Sequence, residues 1–165
     1  MKDVIAGLET ALIAKTDAGE ALVSVASRVY RNADDMKPGA GLRWPLVVMD
    51  ADEPQQLDVG VGSRHSHYTG VVTLYCVVRL DESATNPVDA AEQDATDLAA
   101  NVERVLNGLR GLTDGTHPTG VWHHLTYERL PGDVLEAGPS AFSGFASFVV
   151  PIRCTFKFHR LRAVA

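Results

Sequence analysis

Four of the six histidines occur in close pairs, which is the arrangement that could begin a metal site. His65 and His67 would share one face of an extended chain, whereas the adjacent His123 and His124 would point to opposite faces of a strand. A zinc site needs three or four converging ligands whose orientation is supported by further hydrogen bonds. The spacing therefore favours separate polar histidines, and we expect no bound metal.

Four acidic residues form the second cluster that could hold an ion. Asp50, Asp52, Glu53 and Asp58 lie close together in the sequence. They lack the glycine-containing spacing of a calcium loop, and no downstream glutamate supplies the bidentate ligand. A solvated acidic loop is the favoured interpretation, and no cofactor is expected.

The chain lacks the sequence patterns of covalent catalysis and of phosphate binding. It contains no Gly-x-Ser-x-Gly and no Gly-Lys-Ser/Thr. A buried Cys76 beside a histidine is the one plausible thiol catalyst, but its apolar neighbours should raise its pKa and suppress the thiolate. The sequence thus predicts a protein that is not an enzyme and has no catalytic residue.

Size and charge narrow the class of protein. The chain has 165 residues, which we interpret as one domain over residues 1–165, and its net charge of −6 leaves no basic stripe for stable nucleic-acid binding. No apolar run is long enough to span a bilayer, and the first residues do not resemble a signal peptide. We therefore expect a protein that starts in the cytoplasm and does not contact a membrane.

Two long segments with period-two alternation predict the main strands. In Gly144–Phe158 the even positions from Ala146 are apolar and the odd positions are mostly polar, and in Tyr68–Leu80 the apolar even set is Tyr68, Val72, Leu74, Cys76, Val78 and Leu80. Each strand should therefore bury one face and offer the other to water or to a partner. Cys76 and Cys154 fall on the two apolar faces. We interpret them as small buried hydrophobic residues and not as a disulfide.

Helical spacing predicts a first helix of about three turns and one longer amphipathic helix. The first follows Asp3, and a short second helical turn is expected over residues 21–25. Asn86-Pro87 begins the long helix, which Gly111 or Gly115 ends. Its predicted apolar stripe consists of Val88, Ala91, Ala95, Leu98, Val102, Val105 and Leu109.

The remaining segments complete an α+β domain, with a mostly antiparallel β-sheet of four to five strands and helices packed on one face. Shorter strands are expected over residues 27–31, 44–49 and 121–130. Residues 32–42 are predicted to be a loop, and residues 50–66 form either a long hairpin loop or an extended β-arm.

The order of these elements resembles that of the tail terminator proteins of long-tailed bacteriophages and of related phage-derived particles. The helical region Val4–Val25 leads into the strand Ser27–Tyr30, and Trp44-Pro45-Leu46-Val47-Val48 is similar to the family's leucine-proline-tyrosine-valine-valine at its second strand. The single helix Pro87–Arg110 and the closing strand Phe145–Phe158 complete the likeness. The excursions over residues 81–86 and 129–140 are longer than in compact members.

The resemblance implies a virion structural protein, also described as a tail completion or minor tail protein. Such a protein forms a homohexameric ring that caps the tail tube, stops its polymerisation and provides the interface to head-completion or neck proteins. Its partners would be copies of itself, the major tail tube protein and the neck protein, and DNA would pass through the ring without specific binding. It would occur in the tail or neck of the virion, and in the host cytoplasm during assembly.

Polar loops are the best candidates for the contact surfaces. We expect the stretch over residues 50–67 to contact the tube or a neighbouring subunit, with the excursion over residues 129–140 second and the loop over residues 32–42 third. The predicted interface residues are Asp50, Asp52, Glu53, Gln55, Gln56, Asp58, Arg64, His65, His67, Arg129, Asp133 and Glu136.

Three alternatives remain open from the sequence. A head–tail connector or head-completion protein belongs to the same structural class. A small metal-dependent enzyme using the region of His65 and His67 is the alternative from another class. A generic small-molecule-binding α+β module would need a deep apolar pocket.

Overall fold

Two strands of fifteen residues each form the middle of the sheet. The computed structural model describes residues 2–14, 29–30, 44–58, 65–110, 124–136 and 145–161. These ranges contain two helices and seven strands. In chain order they are α1 (Lys2–Ala14), β1 (Val29–Tyr30), β2 (Leu46–Ala51), β3 (Gln55–Asp58), β4 (His65–Arg79), α2 (Pro87–Arg110), β5 (His124–Arg129), β6 (Asp133–Leu135) and β7 (Ser147–Leu161).

The strands form one sheet with the order β1-β2-β4-β7-β5, with β3 beside β4 and β6 beside β7. The pairing of β1 with β2 is parallel and the other pairings are antiparallel. Strands β4 and β7 pair over their whole length, from His65 opposite Leu161 to Arg79 opposite Ser147. The predicted α+β class with a mostly antiparallel sheet is confirmed, and the continuous path holds five strands.

Both helices pack on one face of the sheet, as predicted. Val4, Leu8 and Leu12 of α1 are fully buried, and they share one core with the even positions of β4 and β7. The stripe of α2 is buried except for Val88, which is 40% exposed, so the prediction was wrong at that residue. Val88 lies in the first turn, beyond the part of the helix that the sheet covers. No helix within the described ranges is long and apolar enough to cross a membrane.

The side of the sheet opposite the helices, which we call the outer face, is not polar throughout. Near the start of β2 it carries a second apolar cluster of Leu46, Val48, Val77 and Val149, each at most 5% exposed. Trp44, Tyr75 and Leu135 pack against this cluster. The expectation that the odd positions of β4 and β7 face water is therefore wrong at this end, because the apolar positions of β2 supply neighbours for Val77 and Val149.

Each central strand is flanked by an outer strand that is broken in an equivalent way. Residues 52–54 separate β2 from β3 along β4, and residues 130–132 separate β5 from β6 along β7. At both breaks three residues of the outer strand face two of the central strand. The first of these donates its N–H across the gap, Asp52 to Val71 O at 3.0 Å and Leu130 to Pro151 O at 2.9 Å. Each break therefore adds one residue, as in a β-bulge, which bends the outer strand and increases its twist.

The extents of the elements differ from prediction at their ends. Residues 50–58, expected as a loop or an arm, complete β2 and form β3, so the arm alternative holds for this part. β4 begins earlier than predicted, at His65, and β7 begins later, at Ser147, and continues to Leu161. The long pairing of these strands extends their ends beyond the alternating segments. The helical turn over residues 21–25, the loop over residues 32–42, the end of α2 at Gly111 or Gly115, and His123 lie outside the described residues.

Gly132 in the second break offers a test of this packing. A Cβ atom added there would lie 2.5 Å from Phe148 Cε1 and 3.1 Å from Val150 Cγ2. Phe148 is buried in the core, so its ring cannot move away freely. We expect Gly132→Ala to lower the free energy of unfolding by about 1–3 kcal/mol, measured by urea denaturation.

The matched control is Gly108→Ala at an exposed position near the end of α2. It should leave stability unchanged or raise it by up to about 1 kcal/mol, because alanine favours the helix. Equal stability of Gly132→Ala and the wild-type chain would contradict the close packing at the break.

Candidate functional site

The outer face carries rows of side chains that run across four strands. The pairing register aligns Asp50 of β2, Thr73 of β4, Arg153 of β7 and Glu128 of β5 in one such row. Asp50, Glu128 and Arg153 are exposed and Thr73 is half-buried. Because directly opposed residues of antiparallel strands have Cβ atoms about 5 Å apart, this row alternates acidic and basic charge across the sheet.

The next rows toward the far end of β7 are rich in threonine and basic residues. Thr155 lies between Val71 and Thr126, and Lys157 lies between Thr69 and His124. Lys157 and His124 are exposed, whereas Thr155, Val71 and Thr69 are half-buried. In this part of the outer face the exposed basic side chains of Arg153 and Lys157 lie among threonines, Val71 and His124.

The acidic side of the outer face affects a tyrosine. Burial raises the pKa of Tyr75, and the carboxylates of Asp50 and Asp52 raise it further. Tyr75 is therefore neutral near physiological pH and presents a hydroxyl beside two carboxylates. This corner can offer hydrogen bonds and negative charge to a partner.

An aromatic cluster occupies the other end of the outer face. Trp44 and Phe145 meet edge to face with ring centroids 6.4 Å apart, and the guanidinium carbon of Arg79 lies 4.0 Å from the centroid of Phe145. Phe145 is 41% exposed. Tryptophan and arginine are the residue types most enriched at the centres of protein interfaces, so this cluster is suited to contact another protein.

A groove of about 490 Å³ runs beside this cluster, along the connection from β4 to α2. Its lining includes Trp44, Arg79 and residues 80–83. Within it, Asp81 accepts hydrogen bonds from the Ser83 hydroxyl at 2.6 Å and the Ser83 N–H at 2.9 Å, which lower the pKa of the carboxyl. Asp81 therefore holds the turn in place, while Arg79 is the basic group of the groove.

Ser147, opposite Arg79 in the ladder, is the buried polar group that stands out in this region. It is 1% exposed, and its hydroxyl has no hydrogen-bond partner among the described residues. An unsatisfied buried hydroxyl costs about 1–3 kcal/mol. It marks the point where the ladder ends beneath the aromatic cluster.

The predicted interface residues of the first acidic stretch do form one exposed arm. Asp50, Asp52, Glu53, Gln55 and Gln56 are exposed, and they lie at the end of β2, in the first break and at the start of β3.

The remaining predicted residues of this stretch are only partly described. His67 is exposed on β4, with its backbone opposite that of Asp58. The side chains of Asp58 and His65, and the whole of Arg64, lie outside the described residues. In the part of the chain that the structure describes, no group of three or more His, Cys, Asp or Glu residues is arranged to hold a metal ion.

Arg129, also a predicted interface residue, is engaged within the chain. Its guanidinium donates to both carboxylate oxygens of Glu103 on α2, with Nε at 3.1 Å from Oε1, and this hydrogen bond raises the pKa of Arg129. Next to it, the hydroxyl of Tyr127 donates to Asn107 Oδ1 at 2.7 Å.

The Tyr127–Asn107 and Arg129–Glu103 contacts have matching spacing along β5 and α2, because two residues of a strand and four residues of a helix both advance by about 6–7 Å. They hold β5 against α2. We call these two contacts the clasp; it was not predicted from the sequence, because only the strand register brings residues 127 and 129 to residues 107 and 103.

Asp133 and Glu136, the last predicted interface residues, are exposed. Asp133 begins β6, and its Oδ1 accepts the N–H of Val134 at 2.8 Å. They lie along β7, on the side of the sheet away from the acidic arm. The structure thus separates the predicted interface residues into two groups, one flanking β4 and one flanking β7.

Both cysteines are buried and unpaired, as expected. Burial raises the pKa of the Cys76 thiol far above its usual value, and it raises the pKa of Cys154 to about 12. The thiols are therefore protonated near neutral pH, as the sequence predicted for Cys76, and lack the thiolate that a nucleophile requires.

The clasp between α2 and β5 is tested by a double-mutant cycle of Arg129→Met and Glu103→Gln. The side chain of Arg129 is about one-third exposed and that of Glu103 about one-fifth, so solvent screens much of their attraction. We expect a coupling energy of about 0.5–1 kcal/mol from urea denaturation, which falls when salt is added. The pair Arg153→Met and Glu128→Gln, directly opposed on the outer face of β7 and β5, is the control and should show less coupling. No coupling in the first cycle would contradict the clasp.

The buried cysteines predict a specific loss of stability at alkaline pH. The folded-state pKa of Cys154 is about 12, above its unfolded value, so the folded chain keeps a proton that the unfolded chain loses above about pH 9. The stabilisation that comes from the protonated Cys154 thiol is fully present below about pH 9, and it decreases as the pH rises toward 12. Between pH 8 and pH 10 we expect the wild-type chain to lose about 1–2 kcal/mol more than Cys154→Ala. Equal losses would show that the thiol is not held protonated.

Comparison with known proteins assigns no family to this arrangement. No protein-family model matches the chain, and no curated protein matches it.

Proposed function

We propose that the chain is a ring-forming tail terminator of a phage or a phage-derived particle. In this function, copies of the chain close into a homohexamer that caps the tail tube, stops its growth and binds the neck protein. DNA passes through the ring. The protein acts by occupying surfaces, and no residue has a catalytic role.

The observation that carries the proposal is the arrangement of the helices and strands. The first helix, β1, β2, the long strand β4, the single long helix α2 and the closing strand β7 follow one another in the order on which the resemblance rests. Both helices cover the same face. The outer face carries exposed side chains of β5 and β7, among them Glu128, Arg153 and Lys157, which are available for contacts with other subunits.

The composition of the surface supports a role in assembly. The aromatic cluster of Trp44, Arg79 and Phe145 has the residue types of an interface centre. The exposed arm around Asp52 and Glu53 is a second surface, which we assign to the tail tube. The net charge of −6 suits a channel for DNA, because like charges reduce adhesion.

Native mass spectrometry over a range of concentrations tests the assembly. We expect a species of six times 17.7 kDa, because a closed ring satisfies the same contact on every subunit. The second readout is the length of tubes polymerised from the major tail tube protein encoded by the same genome. Adding the chain should stop their elongation at one end.

A chain that is monomeric at every concentration and leaves tube length unchanged would contradict the proposal. Binding to portal or adaptor rings in place of tubes would instead favour a head-completion protein.

A further inference from the structure

The charges of the chain are divided between the two sides of the sheet. Residues 80–103, which include most of α2, contain no lysine or arginine and seven carboxylates: Asp81, Glu82, Asp89, Glu92, Asp94, Asp97 and Glu103. Residues 145–161, which include β7, contain no carboxylate and three basic residues: Arg153, Lys157 and Arg160. The acidic group is therefore on the helix side of the sheet, and Arg153 and Lys157 are on the outer face.

Helix stability explains only part of the acidic group. Asp89 lies in the first turn of α2, where a carboxylate favours the helix dipole. Asp94 and Asp97 lie beyond the reach of that effect, and both are exposed. Asp97 accepts one hydrogen bond from Gln93 at 3.1 Å, and Asp94 makes no ion pair within the described residues. A surface that carries this much like charge is stabilised when an opposite charge is brought against it.

The basic residues of the outer face make no close ion pair in the described part of the chain. Arg153 and Lys157 are exposed and make no ion pair there, although Glu128 and Asp50 lie in the same row as Arg153. Between them lies Thr155, flanked by Thr126 and Val71.

The spacing of the two charged groups matches. Arg153 and Lys157 are four residues apart on a strand and therefore about 13 Å apart. Asp89 and Asp97, both exposed, are eight residues apart on a helix, which is a rise of about 12 Å with a rotation of about 80° around the helix axis. The exposed side of α2 can therefore bring two carboxylates to two basic groups at once.

We propose that α2 of one copy of the chain docks on the outer face of β7 in the next copy, with Asp89 and Asp97 against Arg153 and Lys157. The inference rests on the proposed ring, for which it names the subunit contact. The two surfaces lie on opposite sides of one sheet, so the contact is head-to-tail. Such contacts repeat around a ring when the rotation closes, and they cannot make an isolated two-fold dimer.

Charge reversal tests this contact. The helix variant carries Asp89→Lys and Asp97→Lys, and the strand variant carries Arg153→Glu and Lys157→Glu. In each variant like charges face each other, so the concentration needed for half-assembly, measured by sedimentation velocity at low salt, should rise at least about tenfold. The control carries Glu9→Lys on α1 and Glu82→Lys before α2, which changes the net charge as the helix variant does but lies outside the contact and outside the predicted interface residues, and it should assemble like the wild-type chain.

Mixing the helix and strand variants provides the decisive measurement. Each variant by itself should remain unassembled. An equimolar mixture should assemble, because the reversed helix of one variant then meets the reversed strand of the other. This rescue also shows that both variants are folded. The inference is overturned if the mixture assembles no better than either variant alone, if the two variants assemble like the wild-type chain, or if the control variant loses assembly equally.

The proposed function and the contact fail in different ways. If the wild-type chain forms a ring that caps tubes, and none of the charge reversals changes assembly, the contact is overturned and the proposed function stands. Charge-dependent assembly that does not cap tubes overturns the function and leaves the contact.

Discussion

The ladder between β4 and β7 is the constraint on which the rest of the structure depends. Its fifteen paired positions fix which residues of both strands face the helices and which face outward, because a shift by one residue would exchange the two faces. The main core forms on one side from Val72, Leu74, Ile152 and Phe156. The same register sets Arg153 and Lys157 on the other side, so the stability of the fold and its surface charge have one origin.

The outer strands adapt the edges of this ladder without disturbing it. Each runs alongside one central strand, adds a residue at a break and continues, and the N–H of Asp52 or Leu130 bridges the gap. The break bends the strand, and at β5 the contacts of Tyr127 and Arg129 hold the edge to α2. The outcome is a sheet whose helix side forms the main core and whose outer face combines a buried apolar cluster with the exposed side chains of Arg153 and Lys157.

Alternation and helical spacing predicted the elements that bury a periodic face, which is why both helices, both long strands and the buried cysteines were identified from the sequence. They could not predict β3 and β6, because these short strands have little pattern of their own and are held by pairing with β4 and β7. The clasp between Arg129 and Glu103 was missed for a related reason. It joins residues 26 positions apart, and only the register brings them together. The apolar cluster around Val77 also depends on neighbours from another strand.

We propose that this sheet is the building unit of a closed ring whose subunits contact one another through opposite faces. Electron microscopy of the purified chain, at concentrations above its association midpoint, would show the ring itself. We expect particles with a central channel and six repeats, with α2 of each subunit resting on β7 of the next. Single subunits, two-fold dimers or open filaments would contradict it.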